Sequence, residues 1–346
     1  MPDNSNSNNE EAVQLPDPDK LVVSTSPHMH DNQQIRKIML TVLLALAPAC
    51  IAGFVFFGAR VLWVIALCCG SCVAFEALFA KMLGKPIQIR DLSALVTGLI
   101  LALNLAVIAP WWLCVVGALL SVGLGKMIFG GLGYNPFNPA IVGRVGLLVA
   151  FPKVMTEWVS PKAGSLFYNY DAATTATPLG KTQLGELATN QIGAQQYWDY
   201  FLGNMGGCIG ETSALALLIG GVALIAFRII RWEIPVFYIG TVALIAGTAH
   251  AIAPETYAPA LFHVLTGGLM LGAFFIATDY VSSPMGSLGA IIFAVGCGII
   301  TCVIRLLGNY PEGVSFAILF MNAFVPLIDR ATAPKPFGFQ KQEVNA

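Results

Sequence analysis

Charge is scarce in this sequence. Of its 346 residues only 11% are charged, against 56% hydrophobic, whereas a soluble globular chain carries about a quarter of charged residues. That scarcity excludes a water-facing surface of ordinary composition. Basic excess is missing as well: 18 Lys and Arg stand against 19 Asp and Glu, a net charge of −1, and no basic patch points to nucleic acid. Eight cysteines are present (Cys50, Cys68, Cys69, Cys72, Cys114, Cys208, Cys297 and Cys302), all in or beside apolar runs. None falls in the long polar stretch 152–206, where a disulfide would be expected. Cys68, Cys69 and Cys72 can share a helical face, but no matching cysteine pair completes an iron–sulfur ligand set. They read as small residues of a packed helix. Residues 1–37 are polar and acidic and lack the apolar core of a signal peptide; they read as a cytoplasmic N-terminal arm.

What is there is hydrophobicity in long runs. The mean hydropathy is +0.73, and a run of roughly 20 apolar residues crosses a bilayer as a helix. Candidate spans cover 38–58, 61–80, 92–109, 111–129, 138–151, 207–228, 234–252, 260–277, 286–305 and 312–328. The expectation is an all-α polytopic membrane protein of about ten helices, with the short 138–151 span a half-helix or re-entrant segment. With the N-terminus in the cytoplasm, Arg36, Lys37, Lys81, Lys85, Arg90, Lys126, Arg228, Arg231, Arg330 and Lys335 all flank spans on the inside. The short outside loops then hold only Arg60 and Arg305, as the positive-inside rule requires. Both termini are thus placed in the cytoplasm and the 152–206 loop in the periplasm. The division is an arm (1–37), a first membrane half (38–151), the periplasmic loop (152–206), a second half (207–328) and a cytoplasmic tail (329–346).

The halves show an internal likeness. "LVTGLILAL" (Leu95–Leu103) resembles "VLTGGLMLG" (Val264–Gly272), and each is followed by a Gly/Asn/Pro-rich break and a further apolar run: "GYNPFNPAIVG" (Gly133–Gly143) and "GNYPEGVSFAIL" (Gly308–Leu319). Five helices per half put the second copy in inverted topology, an arrangement that places sites between the halves near the midplane.

Chemistry-bearing residues fall in three groups. The loop holds "YNYDAATTATPLGKT" (Tyr168–Thr182), whose Thr174, Thr175 and Thr177 on physics alone serve equally well as local side-chain-to-backbone bonders. The break at Gly130, Gly131, Gly133, Asn135, Pro136, Asn138 and Pro139 cannot continue an ordinary helix. Such backbone at membrane depth lines a cavity or is buried in protein, so the segment is a candidate re-entrant, ligand- or ion-facing element, the alternative being a plain interhelical loop at the membrane surface. Ionisable residues within spans are Glu76, Arg144 and Glu211, with Asp279 nearer an end, and intramembrane charge marks function or pairing. Glu76 either takes up a cation or pairs with Arg144. Glu211 suits a helix N-terminus as well as an ion pathway, and Asp279 is a third ion-pathway candidate. His28, His30, His250 and His263 read as structural.

Beyond these residues, the order "SPHMH" (Ser26–His30), "SALVTGLILAL", "GGLGYNPFNPAIVG" (Gly130–Gly143), the threonine loop, "GETSALALLIGG" (Gly210–Gly221), "FFIATDYVSSPMG" (Phe274–Gly286) and "YPEGVSFAILFMN" (Tyr310–Asn322) resembles the RnfD family, the D subunits of the Rnf electron-transport (ion-translocating oxidoreductase) complex. A related group is the B subunits of the Na⁺-pumping NADH:quinone reductase. In that family Ser/Thr-x-Ala-Thr marks a threonine bearing FMN through a phosphoester bond. Here it reads Thr174-Thr175-Ala176-Thr177, with Thr-Thr where the quinone-reductase relatives have Ser-Gly, and Thr177 is the implied attachment residue. Asp171, just before it, either assists the transferase or is a solvated loop carboxylate.

The resemblance further implies a urea-transporter-like fold in the bacterial inner membrane, a periplasmic flavin transferase, the other Rnf subunits (A, B, C, E and G) as partners, and a second, noncovalent flavin (riboflavin) that the sequence does not place. The implied complex moves electrons between ferredoxin and NAD, coupled to Na⁺ or H⁺ transport. Within that complex the chain is part of a translocase, with no catalytic acid, base or nucleophile of its own and no metal site. The rival reading is a urea-transporter-like channel for a small solute, which has no need of the threonine motif. A cofactor-free membrane scaffold is a third, weakened by the same motif.

Overall fold

In lipid an apolar run can satisfy its own backbone polar groups only as a helix, and the regular elements among the described residues are helices. The computed structural model describes residues 34–86, 89–161, 175–183, 192–308 and 312–333; Asp171, Thr174, His28 and His30 lie outside them. α1 (Ile35–Phe57) and α2 (Arg60–Met82) are joined by a turn at Gly58. α3 (Ser93–Leu103) is short, and α4 (Trp111–Leu119) continues as a π-helical stretch, Leu120–Met127. α5 (Pro139–Ala150) starts where the Asn138 side chain accepts from the Ala140 N–H at 3.0 Å, with proline in the first helical position; both devices favour a helix start.

Three short helices follow, α6 (Pro152–Met155), α7 (Pro178–Gln183) and α8 (Ala194–Leu202), then a 3₁₀ turn at Ile209–Glu211. α9 (Ala214–Ala226) is capped by the Ser213 hydroxyl. α10 (Glu233–Ile252), α11 (Ala260–Leu265), α12 (Leu269–Leu271, continuing as π-helix Gly272–Ile276), α13 (Ser287–Leu307) and α14 (Val314–Thr332) complete the chain.

Five of these, α1, α2, α10, α13 and α14, are long and apolar enough to cross a membrane, and α3, α4 with its π-helical stretch, α5 and α9 are shorter apolar helices. The protein is a multi-pass membrane protein. On α1 only 22% of the apolar window is buried; Leu40, Leu44, Ile51 and Val55 are exposed, which is how a lipid-facing helix side looks.

The expected spans at 92–109 and 260–277 are not continuous helices. α3 stops at Leu103, where the Asn104 side chain donates to the Ile100 carbonyl at 2.7 Å. The 260–277 run breaks at Thr266, which is extended, and Gly267, whose φ of 70° a side chain resists. The carbonyls freed there are taken by Arg305 from α13, which donates to the oxygens of His263 (2.6 Å) and Thr266 (3.2 Å). Arg305, expected in a short outside loop, is therefore buried inside the bundle.

Close helix contacts rest on small residues, as in other membrane bundles. A Cβ on Gly98 would stand 2.7 Å from the Cys69 backbone, joining α3 to α2. On Gly220 it would collide with the Ala45 carbonyl, joining α9 to α1. All eight cysteines are free thiols.

Candidate functional site

Lys126 and Arg144, charged side chains buried at 1% and 3% exposure, organise two separate polar centres. The first surrounds Lys126 in the π-helical end of α4. Its ammonium donates to Glu76 Oε1 (2.7 Å) and Ser93 Oγ (2.6 Å), and the Ser93 hydroxyl donates to Asp91 Oδ1 (2.9 Å). Glu76 thus pairs with Lys126 and not with Arg144, correcting that option. The reason is placement: Glu76 lies on α2, which packs against the π-helical stretch carrying Lys126.

This centre opens on a cavity of about 80 Å³ whose lining includes Ser93, Thr97, Lys126, Asn135, Asn138, Thr278 and Asp279. Asn138 donates to the Ile276 carbonyl at 3.3 Å, and Asp279 accepts from the Ser282 hydroxyl at 2.8 Å. So Asn135, Asn138 and Asp279, distant in sequence, meet at one wall. Gly130 and Gly131 do not line it. Their φ values of 125° and 110° make the turn, and the Gly130 carbonyl accepts from Lys85 at 2.6 Å.

The second centre surrounds Arg144. Its guanidinium bonds the Asn104 side chain and Glu312, approaches Cys208 Sγ at 3.5 Å, and lies 3.7 Å from Glu211 Oε1. Glu211 also accepts from the Cys208 N–H through Oε2 at 3.4 Å, at the 3₁₀ turn that precedes α9. One guanidinium faces two carboxylates, and Glu211 Oε1 and Glu312 Oε1 find no hydrogen-bond donor among the described residues.

This centre forms part of a second cavity, about 190 Å³, lined by Arg144, Leu148, Met155, Thr156, Trp158, Ala176, Thr177, Gly180 and Glu312. Thr177 is 5% exposed. Its hydroxyl accepts from the Gly180 N–H at 3.1 Å at the start of α7, the local bonding open to any such threonine. Leu179 anchors that turn in a small cluster with Tyr200, Met205, Ala258 and Phe262. Thr175, held by its N–H on the Trp158 carbonyl at 2.9 Å, does not line the cavity.

Asn138 and Leu148 are ten residues apart on one helix, about 15 Å, and they line different cavities. Of the residues singled out in the sequence, Asn135, Asn138 and Asp279 therefore line one cavity and Arg144 and Thr177 the other. Lys126, Glu312 and Asn104 carry no local signal: Lys126 reads as a flanking positive charge, and Glu312 sits in a loop-like break.

Arg144, Glu312, Thr156 and an aromatic, Trp158, line one cavity with Thr177, beside the apolar Leu148, Met155 and Ala176. The aromatic and aliphatic lining suits a planar group, and the charged side chains lie where they would act on it. The cavity is smaller than the roughly 300–1,000 Å³ of pockets that enclose a ligand, so it takes part of such a group.

A family model described as "NQR2, RnfD, RnfE family" matches residues 22–338. Among curated proteins, the D subunit of the "Na(+)-translocating ferredoxin:NAD(+) oxidoreductase complex" of Acetobacterium woodii is 45% identical over 93% of this chain and 96% of its own. The D subunit of the "Ion-translocating oxidoreductase complex" of Stutzerimonas stutzeri is 44% identical over 89% and 93%. The D subunit of the "Proton-translocating ferredoxin:NAD(+) oxidoreductase complex" of Clostridium ljungdahlii is 42% identical over 92% and 96%. The chain belongs to the NQR2, RnfD, RnfE family, and within it to the RnfD proteins.

Proposed function

We propose that this protein is the flavin-carrying membrane component of an ion-translocating ferredoxin:NAD⁺ oxidoreductase, with FMN esterified to Thr177. The observation that carries the reading is that Thr177 opens on a cavity whose lining also includes Arg144, Glu312 and Trp158. The Thr177 hydroxyl would become the ester oxygen by displacing the nucleoside monophosphate of a flavin dinucleotide donor, breaking the pyrophosphate P–O bond and releasing its proton with the leaving group. Trp158 and the aliphatic wall would pack against the flavin, and Arg144 and Glu312 would supply the nearby charges. When bound, a flavin passes electrons singly or in pairs between neighbouring centres. Because Thr177 is buried and Leu179 is anchored beside it, attachment by a periplasmic transferase precedes the docking of α7.

The same reading extends to the rest of the chain. Ten membrane passages in two inverted five-helix halves are supported by matching neighbours: α2 packs on α3 and α4, α10 on α11 and α13, and α1 on α9. Thr97 and Thr266, at matching places in the two copies, each bond the carbonyl four residues back. The membrane is the bacterial inner membrane, both termini are cytoplasmic, and the 152–206 loop is periplasmic. Partners are the other Rnf subunits (A, B, C, E and G). The cavity lined by Asn135, Asn138 and Asp279 would lie on the ion path, with Asp279 on its wall and Glu76 behind Lys126, while Glu211 would be an ion-path carboxylate at the Arg144 centre; a second, noncovalent riboflavin belongs to the same reading. Relatives named for Na⁺ and for protons are almost equally similar, so similarity does not choose the ion.

The test is in-gel flavin fluorescence after denaturing electrophoresis, with the transferase co-expressed. A fluorescent band in the wild type that disappears in Thr177→Ala supports the reading. A dark wild-type band returns the solute-channel alternative.

A further inference from the structure

Arg144 has more ionic neighbours than it needs to be neutralised. Glu211 and Glu312 both face it, and each keeps one oxygen without a donor among the described residues. A structural ion pair would be complete with one carboxylate. The trio also sits off-centre: Arg144 and Glu312 line the cavity beside Thr177, while Glu211 lies behind them. Glu312 is the more open of the two, its side chain 13% exposed against 3% for Glu211.

Resting on the flavin reading above, we propose that Arg144 and Glu312 are positioning residues that set the reduction potential of the group carried by Thr177, acting with opposite sign. The physical reason is charge at short range in a cavity walled mainly by buried side chains. An electron entering the tethered group adds one negative charge there. Arg144 favours that charge and Glu312 opposes it. A unit charge about 10 Å away at an effective dielectric of about 20 shifts such an equilibrium more than tenfold. The other ionisable groups around the trio are Cys208 on the segment before α9 and Arg305 on α13, and both stay in place in the test.

The experiment is a redox titration of the purified, flavin-loaded protein, reduced with dithionite and reoxidised with ferricyanide, followed by flavin absorbance. Glu312→Gln keeps the side chain's shape and removes its charge; it is expected to make reduction at least tenfold more favourable, a rise of about 59 mV per electron. Arg144→Gln is expected to shift the potential down by a comparable factor, and Arg144→Lys to stay near wild type. A role confined to holding helices together moves neither potential, or moves both the same way. Unchanged potential in Glu312→Gln, or shifts of equal sign in the two neutral variants, overturns the proposal. Should Arg144→Gln fail to fold, the Glu312→Gln shift decides alone. Failure of the underlying reading looks different: no covalent flavin would then be present in the wild type to titrate.

Discussion

Arg144 on α5 and Glu312 at the entrance to α14 form a part-buried ion pair across 168 residues of chain. The pair ties α5 to the entrance of α14, and it does so beside Thr177. Arg144→Ala therefore leaves two carboxylates facing each other, a loss of roughly 3–5 kcal/mol. Thermal unfolding of the detergent-solubilised protein is expected to show a lowered midpoint, with Arg144→Lys losing much less.

The Lys126–Glu76 pair responds differently to single and double replacement. Lys126→Ala strands the Glu76 carboxylate among apolar residues and costs about 3–5 kcal/mol. Replacing both by methionine removes the buried charges together, and stability returns close to the wild-type midpoint. If Glu76 belongs to the ion path, the double variant folds but no longer supports ion transport in vesicles containing the whole complex. A double variant as unstable as Lys126→Ala contradicts the pairing.

Glycines on helix contacts and glycines on open faces separate by stability. Gly220→Ala pushes a methyl into the Ala45 carbonyl and the Phe275 ring, and overpacking of this kind costs about 1–3 kcal/mol. At Gly70, on α2, nothing lies within 4 Å of the added carbon. Gly70→Ala is expected to be neutral or to stabilise the helix by about 0.5–1 kcal/mol. Melting midpoints in the same detergent compare the two directly.

Much of the architecture is legible in the chain because lipid leaves a helix few alternatives. The runs at 38–58 and 61–80 match α1 and α2 within a few residues, and Asn138-Pro139 announces the start of α5 through capping chemistry. The 260–277 run misleads because its composition is apolar throughout, while the break depends on Gly267 and on carbonyls that Arg305 supplies with donors from another helix. Pairing is the least legible. By sequence Arg144 is one option for Glu76 beside cation uptake, yet Lys126 holds Glu76, and Glu312 reaches Arg144 from a segment that reads as a loop. Contacts of that sequence separation leave no periodic trace in either segment. The Thr177 motif is legible by resemblance alone; its cavity with Arg144 is not.

The most direct test of the central claim is mass spectrometry of the tryptic peptide ending at Lys181, from protein made with the flavin transferase. The peptide holds Thr174, Thr175 and Thr177 together, so fragmentation distinguishes them. The expected result is a mass increase of FMN less one water, localised to Thr177. An unmodified peptide, or the same adduct on Thr174 or Thr175, contradicts it.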